Sequence, residues 1–518
     1  MAYLSDLPKE TKLVGLVAFL GAVLVFTLGI NSDIYLGDEP THYRIASLIY
    51  DTKSRPVYDP NLHASELGYR PCSQELLWHT LLAGLWWVTG GKSPLVAQFY
   101  QTLWYGLLVG VTYLLGKSLY TRQVGLYGAL LVATMPLVTT HTIMLYIDVP
   151  IAALTTLCVL MLARERFFWA GVFMGLMILT KRNIYFIMPF LLFWLCCTHH
   201  NNLLRPYECL KNWRTGLRRL VLFSTPAIAI ILPDLYFRYY YLHGVTLVSA
   251  KIDRLYRDPV DTVFIHPSSI LGHPQTLLTY LGAGLFICLG LYFYRKLYTR
   301  EDLLLGLATS SYIFLLPPAV ILQVFYEEPD PVAAVKHLYS ALATCLAVRY
   351  LSPIIPMVAI LASKGFTSFE KKGWRWALTI ACIIQVLVAS FYVFQVRKIP
   401  PDIKAGYYYV AKNMPPGTCF LYPHGTLLIL APHRLMWDST NTMPDLAYLF
   451  WKANKKEAID ILKRYKIEYL FIEKDKIVDD STIHNYGGFP RSFVEKIPKL
   501  GCFSLEYENS LVEIWKVK

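Results

Sequence analysis

The first 44 residues place an acidic pair directly after a long apolar segment. Residues 13–30 read LVGLVAFLGAVLVFTLGI, and residues 37–44 read GDEPTHYR. The apolar segment is about long enough to cross a bilayer as a helix. Asp38 and Glu39 follow its end, and Pro40 stands where a proline opens a helix. Two carboxylates at the mouth of a membrane helix indicate a functional site, with a solvated turn as the structural alternative.

The composition of the chain favours a membrane protein. Of the 518 residues, 55% are hydrophobic, 14% are aromatic and only 16% are charged, whereas a soluble protein carries roughly 25% charged residues. The net charge of +13 would favour a nucleic-acid partner in a soluble protein. Here the basic residues concentrate in short loops, which is the positive-inside pattern, so we predict no nucleic-acid partner. The 10 cysteines show no CxxC spacing, so we predict neither a disulfide framework nor a zinc site.

Eleven apolar segments predict a multi-pass membrane domain over residues 1–397. Their alternation puts the N-terminus and the basic loops on the cytoplasmic side, and residues 31–93 on the outer side, with interfacial helices at Thr41–Tyr50 and Ser73–Val88. We therefore expect an integral protein of a bacterial or archaeal plasma membrane, in contact with membrane lipids. The segments are 13–30, 94–116, 124–142, 144–163, 167–181, 183–198, 218–240, 275–295, 302–324, 338–363 and 374–396.

The composition changes near residue 398. Residues 398–518 predict an α/β domain on the periplasmic or extracellular side, with a role in positioning substrate or covering the site. The predicted strands are Cys419–Tyr422, Leu427–Leu430, Tyr469–Glu473, Phe503–Tyr507 and Val512–Val517, and the predicted helices are Ile403–Lys412 and Lys455–Tyr465. The expected fold class is mainly α, a polytopic membrane helix bundle with a C-terminal extramembrane α/β domain.

Three polar features interrupt the apolar pattern. Asp148 lies near the outer end of the fourth segment, Lys181-Arg182 falls on the outer side, and Arg349-Tyr350 lies inside the tenth segment. Charged groups at such positions are costly and usually functional or paired. The structural alternatives are a helix-capping carboxylate, a tight turn and a buried arginine–acid pair. Together, acids and cations at the outer end of a bundle fit a phosphate leaving group beside a hydroxyl that loses a proton.

The order of these motifs resembles the GT-C class of membrane glycosyltransferases, in the branch of protein O-mannosyltransferases and aminoarabinose transferases. The resemblance covers roughly residues 12 to 363. It implies catalytic roles for Asp38, Glu39 and Asp148. The substrate-binding residues that it implies are Tyr43, Arg44, Arg70, Lys181, Arg182, Arg349 and Tyr350. Tyr69 stands where some aminoarabinose transferases place a metal-binding Glu, so we predict no metal ligand. Thr41 replaces a basic residue that follows the acidic pair in some relatives, so the phosphate-binding set differs from theirs at this position.

The resemblance also implies a reaction. The donor is a polyprenyl-phosphate sugar, and the acceptor is a hydroxyl of a lipid, a glycan or a protein. Asp38 acts as the general base in a single inverting displacement, and cations stabilise the departing phosphate. A divalent metal (Mg, Mn or Zn) bridging the acids and the phosphate stays open. Three alternatives stay open: a ligase that uses a diphosphate-linked oligosaccharide, a transporter or lipid flippase, and a membrane scaffold. A transporter would be expected to show an internal repeat in its sequence.

Overall fold

A computed structural model describes a large part of the chain. The described residues are 8–31, 33–34, 39–63, 70–71, 75–181, 184, 187, 191, 195, 213–241, 301–302, 305–306, 308–309, 352–367, 380, 382–384, 387, 399–422, 426–437, 449–450, 453–477 and 489–518. Up to residue 367, they contain apolar helices and a few very short strands. The helices are α1 (Lys9–Ile30), α2 (Glu39–Thr52), α3 (Leu77–Thr89), α4 (Pro94–Leu119), α5 (Arg122–Thr134), α6 (Pro136–Ile143), α7 (Asp148–Ala163), α8 (Phe167–Ile178), α9 (Trp213–Tyr241) and α10 (Ile355–Thr367), and the strands are β1 (Tyr58–Asp59), β2 (Leu62–His63) and β3 (Arg70–Pro71).

Helix α4 lies at the centre of the described bundle. It packs against α1, α5 and α7, while α8 packs between α7 and α9. Two glycines allow the close crossing of α4 and α5, since a Cβ on Gly116 would lie 2.8 Å from the Cα of Gly125. Small residues at such a crossing let two helix backbones approach within a membrane.

Two described helices are long and apolar enough to cross a membrane, residues 9–30 and residues 214–241, and a third span results if α5 and α6 count as one. The mainly helical fold is therefore confirmed, but the count of eleven spans is not. The predicted segments 183–198, 275–295, 302–324 and 374–396 lie wholly or largely outside the described residues.

The predicted apolar segment 124–142 contains a break. The structure has two helices there, α5 and α6, with a bend of 52° between them. Pro136 is the cause, because a proline lacks the N–H of the helical ladder and pushes the preceding residue out of the helical region. Met135 accordingly has φ −65° and ψ 126°, an extended conformation.

The C-terminal part forms a mixed sheet covered by helices. Its strands follow the order β2-β5-β4-β6-β8-β7; β2, β5, β4 and β6 are parallel, and β8 runs antiparallel to β6 and β7. Apolar side chains of both faces pack against the helices. The elements are α11 (Pro401–Asn413), β4 (Cys419–Leu421), α12 (Thr426–Leu430), β5 (Leu435–Trp437), α13 (Lys455–Arg464), β6 (Tyr469–Glu473), α14 (Arg491–Leu500), β7 (Phe503–Glu508) and β8 (Val512–Val517).

Most predicted elements of this part are present, and one is wrong. Strands β6 and β8 have the predicted bounds. The stretch 427–430, predicted as a strand, lies in helix α12. A short apolar run does not distinguish a buried strand from a buried helical turn, which explains the error. Strand β5 and helix α14 were not predicted.

The segment after α2 contributes an edge strand to this sheet. Leu62 pairs with Met436 and His63 with Trp437 in parallel register. The backbone N–H of Met436 donates to the carbonyl oxygen of Asn61 at 2.9 Å. Residues 61–63 are thus joined by backbone hydrogen bonding to the part of the chain beyond residue 398, and the predicted domain boundary there stays a prediction.

Candidate active site

Asp148 and Lys181 form an ion pair in which the carboxylate is buried and the ammonium is partly buried. Lys181 Nζ lies 2.6 Å from Asp148 Oδ1, and the two side chains are 16% and 4% exposed. Asp148 opens α7, and Lys181 follows the end of α8 by three residues. A carboxylate in the first turn of a helix is stabilised by the helix dipole. Two charges in such a buried position persist only when they are paired, so each residue depends on the other.

Two further polar side chains surround Asp148. Ser352 Oγ donates to Asp148 Oδ1 at 3.3 Å, and it lies just before α10. His141 Nδ1 lies 3.7 Å from Asp148 Oδ2. The cluster therefore joins α6, α7, the end of α8 and the start of α10 at one carboxylate.

Gln101 on α4 fixes the turn that presents this carboxylate. Its amide nitrogen donates to the carbonyl oxygens of Tyr146 at 2.6 Å and His141 at 3.3 Å. Its amide oxygen accepts a hydrogen bond from Trp78 Nε1 at 2.8 Å. Leu145 in this turn has φ 52°, a left-handed conformation that a leucine rarely adopts. The surrounding hydrogen bonds hold the turn in place despite that cost.

A second buried polar cluster begins at Glu39. Glu39 is fully buried at the start of α2, and His42 and His79 are 4% and 0% exposed. His42 Nδ1 lies 3.0 Å from His79 Nε2, and His79 Nδ1 lies 2.7 Å from the carbonyl oxygen of Glu75. Residues three apart on a helix are neighbours on its surface, so Glu39 and His42 lie on one face of α2.

Tyr146 lies between the two clusters. Its ring centroid is 6.4 Å from that of His42 and 5.0 Å from that of His141. The start of α3 is also tied to the end of α8, because the N–H of Leu77 donates to the carbonyl oxygen of Leu179 at 2.9 Å. The acid at the start of α2 and the acid at the start of α7 therefore belong to one polar region.

Arg44 and Tyr43 bind groups of the protein. The Arg44 guanidinium makes a bidentate pair with Asp59, with both N···O distances 3.0 Å, and donates to Asn61 Oδ1 at 2.6 Å. The Tyr43 hydroxyl donates to the carbonyl oxygen of Lys92 at 3.2 Å. Arg44 follows Glu39 by five residues, which places it about 140° around the helix from Glu39.

The other predicted site residues are described in part or not at all. Asp38, Arg182, Arg349 and Tyr350 lie outside the described residues. Of Arg70 only the backbone is described, in strand β3, where it pairs with Asp59 of β1. Their roles stay predictions.

The sequence analysis missed four residues of the site, His79, Gln101, His141 and Ser352. Each is a buried polar residue within an apolar stretch. Since a buried polar group needs a hydrogen-bonding partner, an uncharged polar residue inside an apolar run is a signal in the sequence that points to these four positions.

The described residues do not form a metal site. Among them, no group of three or more histidine, cysteine, aspartate or glutamate side chains could hold an ion. The Asp148 carboxylate lies against an ammonium group, and a cation in that place would displace a metal rather than help to bind it. We therefore assign no ligand set.

Comparison with known proteins finds one matching family model and several solved structures of similar fold. The family model described as dolichyl-phosphate-mannose-protein mannosyltransferase matches residues 79–228, a range that contains Asp148 and Lys181. No curated protein sequence matches the chain.

Three solved structures have similar folds. ArnT from Cupriavidus metallidurans, bound to undecaprenyl phosphate, is 12% identical with a TM-score of 0.60, and the match covers 98% of each chain. An oligosaccharyltransferase from Archaeoglobus fulgidus is 12% identical with a TM-score of 0.57, over 89% of this chain and 69% of that one. The arabinofuranosyltransferase AftD from Mycobacteria is 14% identical with a TM-score of 0.55, over 98% of this chain and 40% of that one.

These matches confirm the predicted resemblance to the GT-C membrane glycosyltransferases, whose fold the chain has. The match to the mannosyltransferase family model over residues 79–228 agrees with the prediction of a glycosyltransferase enzyme.

Proposed function

We propose that the protein transfers a sugar from a polyprenyl-phosphate donor to an acceptor hydroxyl on the outer face of the membrane. The observation that carries the proposal is the buried cluster of Asp148, Lys181, His141 and Ser352 beside Glu39 and His42. ArnT from Cupriavidus metallidurans was solved with undecaprenyl phosphate and the Archaeoglobus enzyme with a dolichol-phosphate, which supports a lipid-linked donor.

In this proposal the acidic pair removes the acceptor proton. Asp38 is the general base and Glu39 is its companion, while the acceptor oxygen attacks the anomeric carbon in line and inverts it. General base catalysis supplies about 10²–10⁴-fold, or roughly 3–5 kcal/mol. Asp148 orients Lys181. The ammonium group of Lys181 is thereby held in a site of low water content, where its electrostatic attraction to the donor phosphate is strong.

Other cations complete the phosphate site. We propose that Arg70, Arg182 and Arg349 stabilise the departing phosphate with Lys181, and that Tyr350 lies against the carrier lipid. Since the described partners of Tyr43 and Arg44 are protein groups, we propose that these two support substrate binding by fixing α2. The acceptor is a lipid, a glycan or a protein; a peptide acceptor was bound in the Archaeoglobus enzyme.

The competing function is a ligase with a diphosphate-linked donor, which the likeness to an oligosaccharyltransferase favours. Mass spectrometry of lipids and glycans from cells with and without the gene separates the two. We expect loss of the protein to remove one sugar mass from one acceptor and to accumulate a lipid monophosphate sugar. Accumulation of a lipid diphosphate glycan would establish the ligase, and unchanged profiles would contradict both.

A further inference from the structure

The hydrogen bond between His42 and His79 has a fixed direction when both rings are neutral. His79 Nδ1 faces the carbonyl oxygen of Glu75 at 2.7 Å, and a carbonyl oxygen only accepts, so His79 Nδ1 carries a hydrogen. In the neutral ring His79 Nε2 is then an acceptor, and His42 Nδ1, 3.0 Å away, must donate to it. The neutral pair therefore leaves His42 Nε2 as the nitrogen with the lone pair, which makes that atom a base.

The surroundings of this base require a proton route through side chains. Glu39, His42 and His79 are all at most 4% exposed, so bulk water does not reach them. His42 lies one helical turn after Glu39 on α2, on the same face. An imidazole can take up and release a proton near neutral pH, so His42 is chemically suited to receive a proton from the acidic pair.

We propose that His42 Nε2 receives the proton that the acidic pair takes from the acceptor hydroxyl, and that His79 is a positioning residue that fixes the tautomer of His42. The proposal rests on the proposed function. The acceptor O–H bond breaks, and its oxygen bonds to the anomeric carbon. The bond from that carbon to the phosphate oxygen breaks, and its electron pair leaves with the phosphate. The proton moves from the carboxylate to His42 Nε2.

Several titratable groups lie on the elements near His42. They are on its own helix, on and before α3, on α4, on α6, and on or just before α7. These groups are Glu39, Tyr43, Glu75, His79, Tyr100, His141, Tyr146 and Asp148. The midpoint of the pH–rate profile therefore does not identify the group that titrates. A change in the profile is assigned to His42 only when substitution of His42 produces it.

The decisive variant is His42→Asn. Asparagine retains a side-chain N–H near the position of Nδ1, so it can still donate to His79, but it has no counterpart of Nε2. The assay uses membranes of source cells that lack the chromosomal copy, supplied with each variant and with their native lipid-linked donor, and mass spectrometry follows the transferred sugar. We expect the maximal rate to fall at least about 100-fold, and the donor concentration at half-maximal rate to stay within about threefold.

The pH profile separates a proton acceptor from a structural residue. His42 accepts a proton only when it is neutral, so the wild-type rate falls as the pH drops through the pKa of His42. We expect this acidic limb to vanish in His42→Asn. His79→Gln retains a hydrogen-bond acceptor for His42, so this variant should keep most of the transfer rate. His79→Leu no longer fixes the tautomer of His42, so its rate should fall as much as that of His42→Asn. The exposed His433 supplies the control His433→Asn, which should match the wild type in rate and profile.

Solid-state ¹⁵N NMR of the histidine-labelled full chain tests the tautomer without turnover. The difference between wild type and His42→Asn should show a neutral ring protonated at Nδ1, and protonation at Nε2 alone would overturn the proposal. Transfer by His42→Asn at the wild-type rate would overturn the relay and leave the proposed function intact. Activity that chelation abolishes in the wild type but not in His42→Asn would make His42 a metal ligand and also overturn it. Failure of the wild type to transfer any sugar would instead refute the proposed function itself.

Discussion

The pair of Asp148 and Lys181 is a largely buried contact for which we propose a role in both stability and function. Its two side chains come from different helix ends and meet at 2.6 Å within the protein. Removing one partner of a buried pair leaves an uncompensated charge, whereas removing both charges does not. The two residues should therefore behave differently singly and together.

We predict that Lys181→Met lowers the free energy of unfolding by about 3–5 kcal/mol and abolishes transfer. The double variant Asp148→Asn with Lys181→Met should recover most of that stability and none of the activity, because the phosphate still lacks its cation. Unfolding followed by tryptophan fluorescence in detergent measures the first effect, and the membrane transfer assay measures the second.

The exposed pair of Lys92 and Asp51 is the matched control. Its N···O distance is 2.8 Å, but the side chains are 34% and 46% exposed, so Lys92→Met should cost less than about 1 kcal/mol. Equal losses for Lys181→Met and Lys92→Met would show that the Asp148–Lys181 pair is not buried as described.

At the scale of elements, α2 is linked to the C-terminal sheet by a chain of hydrogen bonds. Arg44 binds Asp59 and Asn61, and Asn61 Nδ2 donates to the carbonyl oxygen of Arg434 at 2.9 Å. Arg434 donates in turn to the carbonyl oxygens of Val410, Ala411 and Met414 near the end of α11. The helix that carries Glu39 is therefore held by the part of the chain beyond residue 398.

We predict that Arg44→Lys loosens this link, because a lysine cannot make the bidentate contact with Asp59. Hydrogen bonds to charged groups contribute about 1.5–3 kcal/mol, so amides 61–63 and 435–437 should exchange faster with deuterium. The transfer rate should fall as α2 loses its position. Hydrogen exchange with mass spectrometry measures the first effect.

Arg122→Lys, at an exposed residue that begins α5, is the control and should change neither exchange nor rate. Unchanged exchange in Arg44→Lys would mean that the sheet edge is held by β2 and β5 alone.

A buried thiol reports the integrity of the C-terminal sheet. Cys419 on β4 is 3% exposed, and burial, together with the charge of Glu468, raises the pKa of its thiol to about 12. Only the thiolate reacts with maleimides. We predict that Cys419 in the native chain stays unmodified between about pH 7 and pH 9, where an ordinary thiol with a pKa of about 8.5 becomes reactive.

Pulse alkylation with N-ethylmaleimide, followed by mapping of the modified peptide, measures this rate. The chain unfolded in denaturant is the control and should react fast at every pH in that range. Native alkylation at the unfolded rate would show that β4 is not shielded within the sheet.

The sequence predicted local features and missed most contacts between distant segments. The sequence indicates Asp148 and Lys181 separately, as charged residues that interrupt the apolar pattern. Their contact joins two helix ends 33 residues apart in the chain, and no short-range pattern predicts it. Strand β2 has two residues and pairs with a strand more than 370 positions later, and neither strand shows a period-2 pattern. The bend at Pro136, by contrast, follows from the sequence, since a proline there excludes a continuous helix.

At the scale of the whole molecule, the segment after α2 connects the helix bundle to the sheet. Arg55 on the segment between α2 and β1 lies 2.7 Å from Asp234 of α9, and Asp234 also binds Arg238 at 2.8 Å. This buried network ties the end of α9 to the same segment that reaches the sheet. The first loop is thus held from the bundle on one side and from the sheet on the other, which keeps α2 in place as a preorganised site requires.

The most direct test of the central claim is a comparison of Asp38→Asn with the wild type in cells that lack the gene. Asparagine keeps the shape of the side chain but cannot take a proton, so the variant should be expressed normally while the transferred sugar mass stays absent from the acceptor. Asp460→Asn, on the exposed face of α13, should restore it fully. If Asp38→Asn restores more than about a tenth of the wild-type signal, the loss is under about 1.4 kcal/mol and Asp38 is not the general base.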